Sequence, residues 1–222
     1  ASASGTYNVG GNINSDLPNL VVKFMNAAAV PSNLTVQQGL VDLNGLDFTG
    51  SLSFGSFWDD AANTGRITTG AGTIILTGNI SVLAYSSKDG GGYTIEGNLD
   101  LNGSRNFEIG DMASAAVDLD IPAAISGTGT LSIKQATSSP GPGTLRLTGQ
   151  NTFDGLIDIL SGNTVIFDSI GNVGGGASAL GAPTNATNGY IRFRSSPNGA
   201  ALRYIGDGDT SDRLLRIDYN GA

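Results

Sequence analysis

Apolar and polar residues alternate along most of this chain. In "VDLDI", residues 117–121, Val117, Leu119 and Ile121 share one parity while Asp118 and Asp120 take the other, and "NLDLN", "TLSIK", "TLRLT", "LIDI" and "YIRFR" repeat the arrangement. A period of two places successive side chains on opposite faces of an extended backbone, so each run predicts a half-buried β-strand. Between the runs lie Gly, Asn, Ser and Asp at turn positions, as in "LTGN" at 76–79, "LNGS" at 101–104 and "LSGN" at 160–163. Leu99, Val117, Leu131, Leu145, Ile157 and Val165 follow one another at intervals of 8 to 18 residues, which suits short strands with short links. "NLVVKFMNAAAV", residues 19–30, has the length of a helix, but its β-branched start, Asn26 and the following Pro31 predict a strand and then a loop. "GGGASALGAPTN", residues 174–185, reads as a loop or a single helical turn.

A sandwich, a closed barrel and a parallel β-helix all accommodate many short strands. Internal repetition favours the last. "GAGTIILTGNI" at 70, "GTGTLSIKQA" at 127 and "GPGTLRLTGQN" at 141 share the pattern G-x-G-T-apolar-x-apolar, and a unit that recurs without burying its own apolar face is the mark of a solenoid. The expected fold is therefore all-β, a parallel β-helix forming a single domain over 1–222, with 1–38 as a capping or irregular start. Leu145, Leu147, Ile157 and Ile159 then point into one core while Arg146 and Asp158 face out. Asn151 and Thr152 are expected to form side-chain ladders between stacked coils.

Composition narrows the function classes. Apolar residues make up 39%, too many for a disordered tract, while a formal charge of −8 sets the surface against phosphate backbones and anionic headgroups. Nucleic acid and direct membrane insertion are not expected as partners. His and Cys are both absent, which removes imidazole bases, thiolate nucleophiles and zinc-thiolate sites together. Among the lysines, Lys23, Lys88 and Lys134, none closes a Ser-x-x-Lys motif, and the "GGG" runs at 90–92 and 174–176 lack the G-K-[ST] of a phosphate loop. No cofactor and no catalytic residue is expected.

Two stretches carry enough chemistry to weigh. "GDGDTSD" sets Asp207, Asp209 and Asp212 within six residues, a density suited to Ca²⁺, but Ser211 and Asp212 stand where a calcium loop wants a ligand and a glycine. A solvated turn with Arg213 pairing a carboxylate is the expectation, and no metal. "FWDD" sets Phe57 and Trp58 beside Asp59 and Asp60, an aromatic platform suited to a sugar, which makes Trp58 the candidate glycan contact. Adjacent carboxylates on a strand point to opposite faces, so a glycosidase pair needs a distant partner such as Glu96 or Glu108.

The run "GNLDLNGSRNFEIGDMASAAVDLDIPAAISGTGTLSI", followed by "GPGTLRLTGQNTFDGLIDILSGNTVIF" and "GNVGGGASALGAP", resembles the autotransporter-associated β-strand repeat, G-x-G-T-L-x-L-T-G-x-N-T-Y-x-G. Gly143 to Gly155 follow it closely, with Phe153 at the Tyr position, and "ALRYIGDGDTSDRLLRI" resembles a segment that follows such repeats in verrucomicrobial and planctomycetal surface proteins. The resemblance covers residues 90–222 well and 39–80 faintly. It implies a right-handed parallel β-helix, exported to the cell surface or beyond, within a longer chain ending in a membrane barrel or anchoring tail. Opening on Ala1-Ser2-Ala3 in place of Met points the same way, to a processed or excerpted product.

The expectation that follows is a non-catalytic structural or adhesive module of an exported surface protein, at the outer cell surface or extracellular. Its expected partners are neighbouring repeats or other copies stacked end to end, with surface glycans as a further partner. Two alternatives belong to other classes: a carbohydrate-binding or carbohydrate-active β-helix with a site near Trp58, and a self-assembling extracellular fibre subunit.

Overall fold

A computed structural model describes residues 6–9, 20–55, 64–84, 91–137, 139–160, 162–195 and 199–219. Trp58, with Phe57, Asp59, Asp60 and Lys88, lies outside the described residues. Every pairing between strands is parallel, so the antiparallel sandwich is ruled out.

The strands stack in three columns. The first runs through β1 (Thr6–Val9), β3 (Asn33–Val36), the end of β5 (Phe48–Phe54), the end of β6 (Gly65–Val82), β8 (Arg105–Ile109), β11 (Leu131–Gln135), β13 (Ile157–Leu160), β15 (Ile191–Ser195) and β17 (Leu215–Tyr219). The second runs through β2 (Val21–Lys23), β4 (Gly39–Asp42), the start of β6, β7 (Tyr93–Asp100), β9 (Leu119–Ile121), β12 (Thr144–Leu147), β14 (Thr164–Phe167) and β16 (Ala201–Tyr204). A shorter third face joins the start of β5, the middle of β6, the end of β7 and β10 (Ala124–Ser126). The chain visits the second, third and first faces in turn and returns one strand higher, a solenoid-like path around a shared interior.

One coil takes 26 residues through the middle of the chain, the separation at which Arg146 meets Asp120 and Asn151 meets Ile125, and shortens to 20 where Leu145 pairs with Val165. Towards the end it lengthens, to 34 residues between Asp158 and Arg192 and 40 between Gly171 and Ser211. The strand period is unchanged, so the extra residues go into the link at 168–190.

Alternation decides what fills the interior. β5 buries every second residue, and Leu145, Leu147, Ile157 and Ile159 are all fully buried in one cluster that extends from Phe24 to Ile191. Arg146 and Asp158 take the outer parity as expected, but Asp158 is only 3% exposed, because Arg192 and Arg194 close over it.

The three copies of the G-x-G-T pattern do not occupy equivalent places. Thr73 and Ile74 lie on the third face, Leu131 on the first, and Thr144 and Leu145 on the second. The repeated unit is thus one corner with the strand that leaves it, used at all three corners. "DLNG" behaves alike at 42–45 and 100–103: Asp42 and Asp100 accept from the amides of Asn44 and Asn102 at 2.7 and 2.8 Å, and both asparagines adopt positive φ. Their side-chain amides donate to Phe24 O and Leu76 O of the coil before. One turn therefore both bends the chain and ties it to its neighbour.

Candidate functional site

Asn151 and Thr152 do not form the expected ladders. Asn151 is fully buried; its Oδ1 accepts from Ile125 N–H at 2.7 Å and its Nδ2 donates to Ala179 O at 2.7 Å, so one side chain joins the backbones of three successive coils. Thr152 is exposed and contributes its backbone amide, to Ile125 O. Polar backbone left over at a corner needs a partner, and a carboxamide offers both a donor and an acceptor. Asn98, Asn102 and Asn163 likewise bond backbone groups rather than one another. Two motif glycines serve the same close stacking: a Cβ on Gly149 or Gly155 would collide with the carbonyl oxygen of Ala123 or Gly129 in the coil below.

Asp209 and Asp212 of "GDGDTSD" are engaged in capping. Asp209 Oδ2 accepts from Ile170 N–H and Tyr204 O–H, both at 3.1 Å, and Asp212 Oδ1 accepts from Val173 N–H at 2.8 Å. Ser211 Oγ donates to Gly171 O at 2.8 Å, so residues 207–213 form the layer above 168–174. Among the described residues no three acidic side chains are grouped to hold a metal ion. Arg213 departs from the expected carboxylate pairing. It is buried, donates to Gly189 O and Leu180 O at 2.8 and 2.6 Å, and burial lowers its pKa to about 10. Two consecutive residues of opposite fate, Asp212 outside and Arg213 inside, follow from the inward turn that the loop makes there.

Glu96 and Glu108 are not brought together. Glu96 meets Arg66 at 3.3 Å on the second face, and Glu108 meets Lys134 at 3.0 Å on the first. Each carboxylate is thus held by a cation on its own face. A buried carboxyl lies elsewhere, at Asp118, which the alternation marks only as an outward strand residue. Burial raises its pKa to about 6, against the amides of Thr144 and Met112, which donate to it at 2.6 Å each and favour the charged form. It anchors the loop at 110–117 onto the second face.

Two surface features stand out. A groove of about 420 Å³ on the outer second face is lined by Val21, Leu40, Arg66 and Thr94 over Gly39 and Gly65, beside the point where the chain re-enters at Thr64. The other is the last layer. Leu215 and Ile217 occupy inward positions in register with Ile191 and Phe193, yet stand 62% and 78% exposed, because no described strand covers β17. Compared with known proteins, the chain matches no family model, no curated sequence and no solved structure.

Proposed function

We propose that this chain is a structural module of an exported surface protein, a right-handed β-helix that holds distance and presents its inter-strand links, without catalysis. The observation that carries this reading is the continuity of the core: one apolar cluster passes through successive coils, and the corner side chains Asn98, Asn102, Asn151 and Asn163 are engaged in joining backbones. A solenoid built this way is stiff along its axis and free to vary its links. The resemblance to autotransporter-associated repeats supports the handedness and the export. Labelling intact source cells with antibody against the 168–190 link tests the location. Surface label removed by external protease is expected; label confined to lysed cells overturns the proposal, as do coils of left-handed sense in an experimental density map.

A second reading, a carbohydrate contact, is favoured by the groove on the second face, where the apolar side chains of Val21 and Leu40 adjoin the Arg66–Glu96 pair. Glycan-array binding that is lost in both Arg66→Ala and Trp58→Ala supports it; an array on which the two variants behave as the parent sinks it.

A further inference from the structure

We propose that Asn185 is an acceptor for an N-linked glycan, its Nδ2 taking a sugar whose anomeric carbon is activated by a diphosphate. The proposal goes beyond the structural role and holds whichever compartment supplies the sugar.

The chemistry is a substitution at carbon. Nδ2 of the carboxamide forms a bond to the anomeric carbon, the bond from that carbon to the diphosphate breaks with its electron pair leaving on oxygen, and Nδ2 gives up one proton. The transferase also binds the hydroxyl of the residue two further on, so acceptors read Asn-x-Ser/Thr with x other than Pro, on exposed loops. The fold must therefore offer a backbone that can be drawn into an enzyme cleft, an uncommitted Nδ2 and an uncommitted hydroxyl.

The sequence holds four such tripeptides, starting at Asn33, Asn79, Asn102 and Asn185. The fold withholds the first three. Residues 33–35 lie in β3 with β1 on one edge and β5 on the other, and residues 79–81 lie in β6 between β5 and β8. Drawing either out would break a ladder on both sides. Asn79 Nδ2 also donates to Glu108 Oε1 at 3.4 Å. At the third, Asn102 Nδ2 donates to Leu76 O at 3.1 Å and Ser104 Oγ accepts from Thr130 N–H at 3.0 Å, so both reacting groups are spent on neighbouring coils.

Asn185 differs on each count. Residues 184–187 are all exposed and belong to no strand. Asp154 pins the two flanks, accepting from Thr184 N–H and Oγ1 and from Asn188 Nδ2 at 3.0, 2.6 and 2.7 Å, so the tripeptide stands at the tip of an anchored turn. Asn185 Oδ1 accepts from Asn188 N–H at 3.0 Å, while none of the described groups accepts from its Nδ2 or bonds the Thr187 hydroxyl. The turn belongs to the 168–190 link, so a bulky hydrophilic glycan there displaces no strand and uncovers no core residue.

The test uses the folded 222-residue chain and four synthetic peptides, one for each tripeptide. Each is treated with a single-subunit oligosaccharyltransferase and a polyprenyl-diphosphate oligosaccharide, and separately with a soluble N-glycosyltransferase and a nucleotide-diphosphate hexose. Fragmentation mass spectrometry locates the sugar. In at least one of the two reactions all four peptides are expected to accept it and the folded chain to carry it at Asn185 alone, and the reaction that succeeds identifies the donor. Asn185→Gln and Thr187→Ala should lose transfer and Thr187→Ser should keep it, with the β circular-dichroism signal verifying the fold of each variant. A folded chain that takes no sugar at Asn185 in either reaction, or takes as much at Asn79 or Asn102, overturns the proposal. So does protein isolated from its source cells with Asn185 bare.

Discussion

Asn151 illustrates how much of this fold depends on single polar side chains at the corners. Its replacement by Ala strands the Ile125 amide and the Ala179 carbonyl in a buried place, and an orphaned backbone group costs about 1–3 kcal/mol. Asn151→Ala is therefore expected to lower stability by roughly 2–4 kcal/mol in urea unfolding. Thr152→Ala, at an exposed side chain, should change it by less than about 0.5 kcal/mol. Asp118 adds a dependence on pH. Its folded pKa of about 6 lies above the ordinary 3.8, so the folded state holds the proton more tightly than the unfolded state does. The stability from this group is complete below pH 4 and is lost as pH rises through 6. Comparing urea midpoints of the parent and Asp118→Asn from pH 4 to 7 should show the parent losing ground, by on the order of 2 kcal/mol. A difference independent of pH would refute the assignment.

At the scale of the element, the outer faces of the strands are tied by in-register ion pairs between coils. Asp158 is shared by Arg192 and Arg194 and nearly covered, whereas Arg194 is a half-exposed partner with a single contact at 3.1 Å. Removing the shared acid leaves two guanidinium groups side by side over a dry strand; removing Arg194 leaves a pair intact. Asp158→Ala is thus expected to cost roughly 2–3 kcal/mol and Arg194→Ala under about 1 kcal/mol, as read from thermal unfolding in low salt. Equal losses would show that Asp158 acts through one arginine only. The period-two alternation made these strands and their inward faces legible without a structure, including Leu145, Leu147, Ile157 and Ile159. It did not reveal that Asp158 is covered, because the covering residues Arg192 and Arg194 lie 34 and 36 residues further on and are brought over it only by the coil.

For the whole molecule, the strand pairings among the described residues join each coil to its neighbours. Leu119 pairs with Leu145 one coil on, so deleting residues 119–144 places Leu145 where Leu119 stood and leaves every column in register. The shortened protein is expected to fold, with a cooperative transition and an unchanged β signal in circular dichroism. Deleting 119–131 instead brings the first-column strand β11 into the second column and should abolish the transition. If both deletions behave alike, stacking of equivalent coils is not what stabilises the fold.

What the order of residues settled alone was local: where strands run, which parity is apolar, where Gly, Asn and Asp bend the chain, and that a corner-and-strand unit recurs. These follow from steric preference and from the period of the extended backbone, which need no distant contact. Which face each unit occupies was not legible, and copies of one motif landed on all three, since the motif encodes a bend and not an address. Tertiary structure also decided the fates of the polar groups. Asn151 became a link between three coils, Asp209 and Asp212 became caps, and Arg213 went inside. Each depends on a partner at least a coil away along the chain, and only the closing of the coil at its 26-residue or longer pitch brings that partner within hydrogen-bond distance.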